Sequence, residues 1–134
     1  MAQEYIKILL VDDEEEFVNT LAERINMRLF NADIALNGET ALKMIDNDIP
    51  DIIVLDLRMP GIDGIEVLKK VKHMYPEVQV IILTGHGSKQ DKDAAISLGA
   101  FDYLQKPVEI DSLVKKIRQA YKKRKASYAV SGTL

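Results

Sequence analysis

Short apolar runs alternate along this chain with stretches of helical periodicity, and both patterns predict regular structure. The runs are rich in β-branched residues, are too short for a buried helix, and lie farther apart than the two strands of a hairpin. They predict five strands, of which the second is the weakest: IKILLV (6–11), ADIAL (32–36), DIIVL (51–55), VQVIIL (78–83) and AFDYL (100–104).

Apolar residues recur every three to four positions between these strands, which is typical of amphipathic helices. The stripes comprise Phe17, Val18, Leu21, Ala22, Ile25 and Leu29; Ala41, Leu42 and Ile45; Ile65, Leu68, Val71 and Tyr75; and Ile110, Leu113, Val114, Ile117 and Tyr121. Between the fourth and fifth strands, SKQDKDAAISLG has only Ala94, Ala95 and Leu98 to bury, and Gly99 is its predicted cap. We expect this fourth helix to be the least securely packed.

Strict alternation of strands and helices predicts an α/β fold in which parallel strands are joined by right-handed crossovers. The near-continuous apolar strands agree, because a parallel sheet is covered on both faces. We therefore expect a three-layer, doubly wound, five-stranded parallel sheet with five helices, in one domain over residues 1–125. Helical periodicity fades after about Lys125, so residues 126–134 are predicted to be a flexible tail or the start of a linker.

The composition excludes several kinds of site. The 134 residues suit one domain, and 47% hydrophobic with 29% charged residues is an ordinary balance for a folded protein. A net charge of −3 gives no bulk attraction to nucleic acid or to an anionic membrane. The absence of cysteine excludes disulfides and thiolate metal sites, and two histidines are too few for a histidine-rich metal site. With no membrane-length apolar run and no signal peptide, a cytoplasmic protein is expected.

Polar residues follow the predicted strands, at the edge where a doubly wound sheet binds its ligands. They are Asp12 and Asp13; Asp56; Thr84, Gly85, His86 and Gly87; and Gln105, Lys106 and Pro107. A carboxylate in such a place often caps a helix or belongs to a turn, and for Asp12 or Asp13 alone this interpretation is about as good as a functional one. It is weaker for Asp56, since Pro60 and Gly61 already provide the turn.

Three carboxylates at one edge repel one another unless a cation binds, and Mg²⁺ prefers oxygen ligands of this kind. Thr84 alone could simply finish a strand, and Lys106 alone is more often a solvated surface lysine than a catalytic one. Beside Asp56 they suit an incoming phosphoryl group, which spreads its charge over three oxygens. A carboxylate can carry phosphate as an aspartyl phosphate. The sequence therefore predicts Asp56 as nucleophile, with Asp12 and Asp13 holding the ion.

Four motifs together resemble the receiver domain of two-component response regulators. They are LLVDDE (9–14), DIIVLDLRMPGIDG (51–64), IILTGHG (81–87) and FDYLQKP (101–107), and the resemblance extends over about residues 5–124. It implies a flavodoxin-like fold with strand order 2-1-3-4-5. It also implies that a sensor histidine kinase or phosphotransfer protein phosphorylates Asp56, and that the domain catalyses only its own phosphorylation and dephosphorylation.

The resemblance assigns further roles to residues of this chain. Mg²⁺ or Mn²⁺ would be bound by Asp12, Asp13, Asp56 and the backbone carbonyl of Arg58, with Asp13 the more direct ligand. Thr84 and Lys106 would contact the phosphoryl oxygens, Tyr103 would turn inward with Thr84, and the Lys106–Pro107 bond would be cis. Arg58 and His86 occupy positions that tune the lifetime of the phosphate, and Arg58 could either screen the attacking water or contact the phosphate.

The output surface implied by the resemblance is the fourth helix, fifth strand and fifth helix, which could also form a homodimer. The signal would pass to an attached output domain or a downstream protein; the alternative is a stand-alone receiver or phosphorelay intermediate acting by protein contact. The basic cluster of the last helix is interpreted as a solvated face, without direct nucleic-acid or membrane contact; the alternatives are a dimer interface or a docking surface for the kinase. It comprises Lys115, Lys116, Arg118, Lys122, Lys123, Arg124 and Lys125.

Three other classes of protein fit less well. A phosphotransferase of the haloacid-dehalogenase type would have an acid two residues after the nucleophile, where this chain has Arg58. A flavodoxin-like electron carrier would need a phosphate-binding loop after the first strand, where DDEEE would repel an anionic cofactor. A phosphorylation-independent interaction module would not need the full set of residues at the edge.

Overall fold

The computed structural model describes residues 5–28, 30–85 and 87–132, with side-chain burial described as far as residue 126. Strands and helices alternate through the whole of this part. They are β1 (Ile6–Val11), α1 (Glu15–Asn26), β2 (Phe30–Ala35), α2 (Gly38–Asn47), β3 (Ile52–Leu55), α3 (Gly64–Met74), β4 (Gln79–Thr84), α4 (Lys89–Ser97), β5 (Asp102–Gln105) and α5 (Ile110–Gly132).

The five strands form one parallel sheet in the order β2-β1-β3-β4-β5, which confirms the expected fold. Strand β3 lies at its centre, where Ile52 pairs in register with Ile8 on one side and with Gln79 on the other. Because all strands run the same way, the residues that follow them meet at one edge of the sheet.

Strand β3 is buried on both faces, as its sequence predicts. Ile52 and Val54 pack with α1 and α5, whereas Ile53 and Leu55 pack with α2 and α3. All four are buried, because successive side chains of a strand point to opposite faces and each face carries a helical layer. The strand is therefore a rigid support for Asp56, the next residue along the chain.

Helix α4 buries little, which confirms the expectation of sparse packing. Ala95 is its one fully buried residue. At its start, Ser88 and Asp91 form a reciprocal capping box. At its end, Gly99 adopts a left-handed conformation (φ +103°), the conformation expected of the glycine that stops a helix. Helix α4 is thus capped at both ends but buries little.

Two helix boundaries can be compared with the sequence pattern. Helix α5 continues past Lys125 to Gly132, beyond the point where its apolar periodicity fades; that residues 126–134 are a flexible tail or the start of a linker stays a prediction. Neither proline nor glycine interrupts this segment before Gly132, and extending an existing helix costs much less than nucleating one. Helix α1 ends at Asn26, and Leu29, assigned from its spacing to the stripe of that helix, lies outside the described residues.

No helix in the described part of the chain combines the length and the apolar character needed to cross a membrane.

Candidate functional site

The predicted site residues meet at the carboxyl edge of the sheet because backbone hydrogen bonds continue past the strand ends. The amide of Asp12 donates to the carbonyl of Ala35 at 3.1 Å, and the amide of Asp56 donates to the carbonyl of Val11 at 2.9 Å. At the other side of the sheet, the Lys106 amide donates to a carbonyl of β4 at 2.9 Å. The sheet itself thus sets the relative heights of these residues.

Lys106 is the centre of the ionic network at this edge. Its Nζ lies 2.6 Å from Oδ2 of Asp12, 2.9 Å from Oε1 of Glu14 and 3.5 Å from Oδ2 of Asp56. The same ammonium lies 4.4 Å from the ring centre of Phe17, close enough for a cation–π contact. Only 11% of the Lys106 side chain is exposed, so its charge is held inside the site.

One carboxylate oxygen from each of Asp12, Asp13 and Asp56 lies within 4.8 Å of the other two. Asp12 and Asp56 are buried, and Asp13 is exposed. These three carboxylates and that of Glu14 surround a single ammonium, that of Lys106, so the cluster has more negative than positive charge. Carboxylate oxygens are ligands that Mg²⁺ prefers. The donor set therefore fits a divalent cation.

Burial and ion pairing act in opposite directions on these groups. Burial raises the pKa of Asp12, aided by the charge of Asp56, and outweighs the hydrogen bonds from Lys106 and from the Glu14 amide. Burial alone would lower the pKa of Lys106, but its bonds to Asp12 and Glu14 outweigh burial and raise that pKa. The lysine is therefore firmly protonated, while the carboxylates are crowded.

The loop between β3 and α3 is folded tightly against Asp56. The Arg58 amide donates to Oδ1 of Asp56 at 3.3 Å, and the Asp63 side chain caps α3 by accepting from the Glu66 amide at 3.0 Å. A Cβ on Gly64 would lie 2.3 Å from the Asp56 carbonyl oxygen, so this position has no room for a side chain. The glycine lets α3 begin directly against the backbone of the candidate nucleophile.

The Arg58 side chain points to α4. This contact is neither of the two roles considered from the sequence, which were to screen the attacking water or to contact the phosphate. Its Nη2 lies 3.1 Å from Oδ2 of Asp91, and the same oxygen accepts from the Ser88 amide at 3.2 Å. The hydrogen bond from the Ser88 backbone amide is the main reason that the pKa of Asp91 is lowered, and the hydrogen bond and charge of Arg58 add to the effect. Arg58 thus connects the loop after β3 to the capping box of α4.

Thr84 and Tyr103 lie next to this network. Thr84 is fully buried at the end of β4. Tyr103 is 9% exposed, and burial, followed by the charge of Asp91, raises its pKa. The Lys106–Pro107 peptide bond is cis. His86, the other position assigned to the lifetime of the phosphate, lies outside the described residues.

Sequence reasoning missed the partners of the central residues. Glu14 looked like an acid at the start of α1, yet its side chain makes no capping bond there and binds Lys106. Phe17 looked like a core residue of the helical stripe, and it also stacks under Lys106. Glu39 accepts from the Ile62 amide at 3.0 Å and so ties the loop after β3 to α2. None of these contacts has a signature in local spacing.

Several cations of the α5 basic cluster have intramolecular partners. Lys116 pairs with Asp102 at 2.8 Å, and Arg124 pairs with Asp51 at 2.9 Å. Arg118 lies 5.0 Å from the ring centre of Phe30. These contacts fasten α5 to the sheet.

Comparison with known proteins identifies the family of this chain. The family model described as response regulator receiver domain matches residues 8–118. The transcriptional regulatory protein CpxR from Escherichia coli (strain K12) is 43% identical over 112 residues, which cover 84% of this chain and 47% of that protein. The chain therefore spans about half the length of this curated relative.

Solved structures agree in fold. NtrX from Brucella abortus matches with a TM-score of 0.89 and 28% identity, covering 98% of this chain and 30% of that one. A CheY-like receiver domain protein from Methanospirillum hungatei JF-1 matches with a TM-score of 0.89, covering 92% and 99% of the two chains. At 24% identity, this second likeness shows the fold alone.

Proposed function

The chain belongs to the response regulator receiver family, a family of signalling modules; from that premise we propose that Asp56 is its phosphoacceptor. A sensor histidine kinase or phosphotransfer protein would be the donor. A carboxylate oxygen of Asp56 forms the new P–O bond while the P–N bond of the donor's phosphohistidine breaks, and the imidazole keeps the electron pair. The domain would promote this transfer and the later hydrolysis by water, and no other reaction.

The observation that carries the proposal is the setting of Asp56. Its side chain is 3% exposed, follows a fully buried strand, and lies 3.5 Å from the Lys106 ammonium. Asp12 is already engaged by Lys106 at 2.6 Å and by the Glu14 amide at 2.9 Å, and Asp13 is exposed. Asp56 is thus the buried carboxylate that Lys106 engages least, with a positive charge beside it, which supports its assignment as the group that reacts.

We assign Asp12, Asp13, Asp56 and the backbone carbonyl of Arg58 as ligands for Mg²⁺ or Mn²⁺, with Asp13 as the more direct one. The ion would supply positive charge that lets a phosphoryl donor approach a cluster of acids. Replacing Asp13 with alanine should weaken Mg²⁺ binding in calorimetric titration, whereas Asp93→Ala, on exposed α4, should not. Unchanged affinity in Asp13→Ala would remove Asp13 from the ligand set.

The proposed output is a shift in the surface formed by α4, β5 and α5. A phosphoryl group adds about −1.5 to −2 charge at one point, which favours the arrangement in which Thr84 and Lys106 reach it. The same arrangement would favour the inward place that the Tyr103 ring occupies in this structure. Helix α4 buries so little that it can adjust at low cost. That surface would act on an output domain, on a downstream protein, or in a homodimer.

A stand-alone receiver or phosphorelay intermediate remains the second candidate. The relative named as a transcriptional regulatory protein is about twice as long as its matched region, which favours an output domain beyond a receiver domain at residues 1–125. The gene sequence downstream distinguishes the two candidates.

Labelling with a small phosphodonor tests the central assignment. The wild type with Mg²⁺ should gain one phosphate at an acid-stable, base-labile bond, and Asp56→Asn should gain none. Asp93→Asn, which makes the same change at an exposed aspartate, should be labelled like the wild type. Equal labelling of Asp56→Asn at the same bond would show that Asp56 is not the acceptor.

A further inference from the structure

Tyr103 lies inward, between the end of β4 and the start of α4. Its ring belongs to the same buried cluster as Ala95 of α4 and Ala100. Its hydroxyl oxygen is buried and has no hydrogen-bond partner among the described residues. The ring is thus held by packing, while the hydroxyl loses its contact with water without a replacement.

Gly87 makes room for that hydroxyl. A Cβ at position 87 would lie 1.2 Å from the Tyr103 hydroxyl oxygen and 2.5 Å from its Cζ, far inside van der Waals contact. It would also lie 3.0 Å from Cγ2 of Thr84. The inward ring and any side chain at position 87 therefore exclude each other.

Gly85, two residues earlier in the same loop, has a different environment. A Cβ there would meet only the Lys106 side chain, at 3.8 Å and 3.9 Å, which is ordinary contact. The same loop thus contains one glycine that a methyl group would disturb and one that it would not.

We propose that Gly87 is the positioning residue that admits Tyr103 to its inward place, and that one methyl group at position 87 turns the ring outward. The inward place is easily lost, because burial of the ring has to offset an unpaired hydroxyl. The consequence for signalling rests on the proposed function: if Tyr103 follows Thr84, then Gly87 sets how readily the switch reaches its inward arrangement.

Nitration with tetranitromethane, followed by peptide mass spectrometry, reports the exposure of each tyrosine. In the wild type, Tyr103 should react slowly relative to Tyr5, which is 51% exposed and serves as the internal standard. In Gly87→Ala, the rate at Tyr103 should rise about tenfold, the change that corresponds to about 1.4 kcal/mol of overpacking. In Gly85→Ala, both rates should match the wild type.

If Tyr103 is nitrated as slowly in a folded Gly87→Ala protein as in the wild type, the proposal is overturned. If Gly87→Ala fails to fold, the double variant Gly87→Ala/Tyr103→Leu tests whether the steric conflict is the cause. Leucine lacks the hydroxyl oxygen and the Cζ atom that would conflict with a Cβ at position 87. Restored folding would support the steric conflict, and continued unfolding would refute it. Phosphorylation of Asp56, measured separately in the same variants, keeps a failure here distinct from a failure of the proposed function.

Discussion

Replacing Lys106 with methionine tests whether this lysine is the charge that holds the acidic site together. Methionine keeps most of the length and the apolar character of the lysine stem. The main loss is the ammonium, together with its cation–π contact with Phe17. Asp12 and Asp56 would then face each other, buried, without a cation between them. We expect a large loss of stability at neutral pH, and recovery on addition of Mg²⁺.

The size of the expected loss of stability in Lys106→Met follows from the burial of the carboxylates that face Lys106. At 2.6 Å, the attraction between Lys106 and Asp12 is about 6 kcal/mol before desolvation, for an effective dielectric constant of about 20. Removing one partner of a buried pair typically costs about 3–5 kcal/mol, because the other charge stays behind. We expect about 3 kcal/mol, near the lower limit, since Glu14 is exposed and Asp12 can take up a proton.

Urea unfolding followed by circular dichroism measures this cost, with Lys116→Met as the matched control. Lys116 pairs with Asp102 at 2.8 Å, but both side chains are partly exposed, so its loss should cost no more than about 1 kcal/mol. Saturation with Mg²⁺ at about 100 times its Kd should return about 2.7 kcal/mol to Lys106→Met. Equal losses in the two variants, or no recovery with Mg²⁺, would refute the central role of Lys106.

Three further changes have clear expected outcomes. Folding raises the pKa of Asp12, so ionising this carboxyl adds no cost below its ordinary pKa of 3.8; the cost grows as pH rises above that value and becomes constant above the raised pKa of the folded state. In metal-free buffer, the stability of the wild type relative to Asp12→Asn should therefore fall over this pH window, and a flat difference would contradict this. Ser88→Ala removes the cap of α4 and should lower amide exchange protection there by about 1 kcal/mol, with other helices unchanged. Gly64→Ala places Cβ 2.3 Å from the Asp56 carbonyl oxygen and should cost at least about 1–3 kcal/mol in thermal unfolding, whereas Gly85→Ala should be neutral.

The fold was predictable because the patterns that determine it are local. An all-apolar run such as Ile52–Leu55 can be satisfied only where both faces are covered, and its alternation with amphipathic stripes leaves a parallel sheet as the consistent arrangement. Even the sparse burial of α4 could be inferred, since its sequence offers few apolar residues. The end of α5 was not predictable, because loss of apolar periodicity removes a packing signal without removing helix propensity.

The sequence indicated which strand ends carry the candidate site, but it did not indicate most of the contacts between the side chains there. Parallel strands bring the residues that follow them to one edge, which accounts for the proximity of Asp12, Asp56 and Lys106. The pairing of Glu14 with Lys106, 92 positions apart, depends on side-chain reach across the edge and leaves no trace in spacing. The pairing of Arg58 with Asp91 is hidden for the same reason.

The position of Lys106 indicates how a cation and a phosphoryl group could share this site. The ammonium lies 2.6 Å from Asp12 but 3.5 Å from Asp56, so it is held chiefly by a proposed metal ligand. A divalent cation on the carboxylates would neutralise Asp12 and weaken that hold. Lys106 would then be available to Asp56, where phosphorylation adds about −1.5 to −2 charge. On this reasoning, the contact between Lys106 and Asp12 would keep the acids compatible with folding while no cation is bound, and with a cation bound the lysine would be free to contact Asp56, the proposed phosphoacceptor.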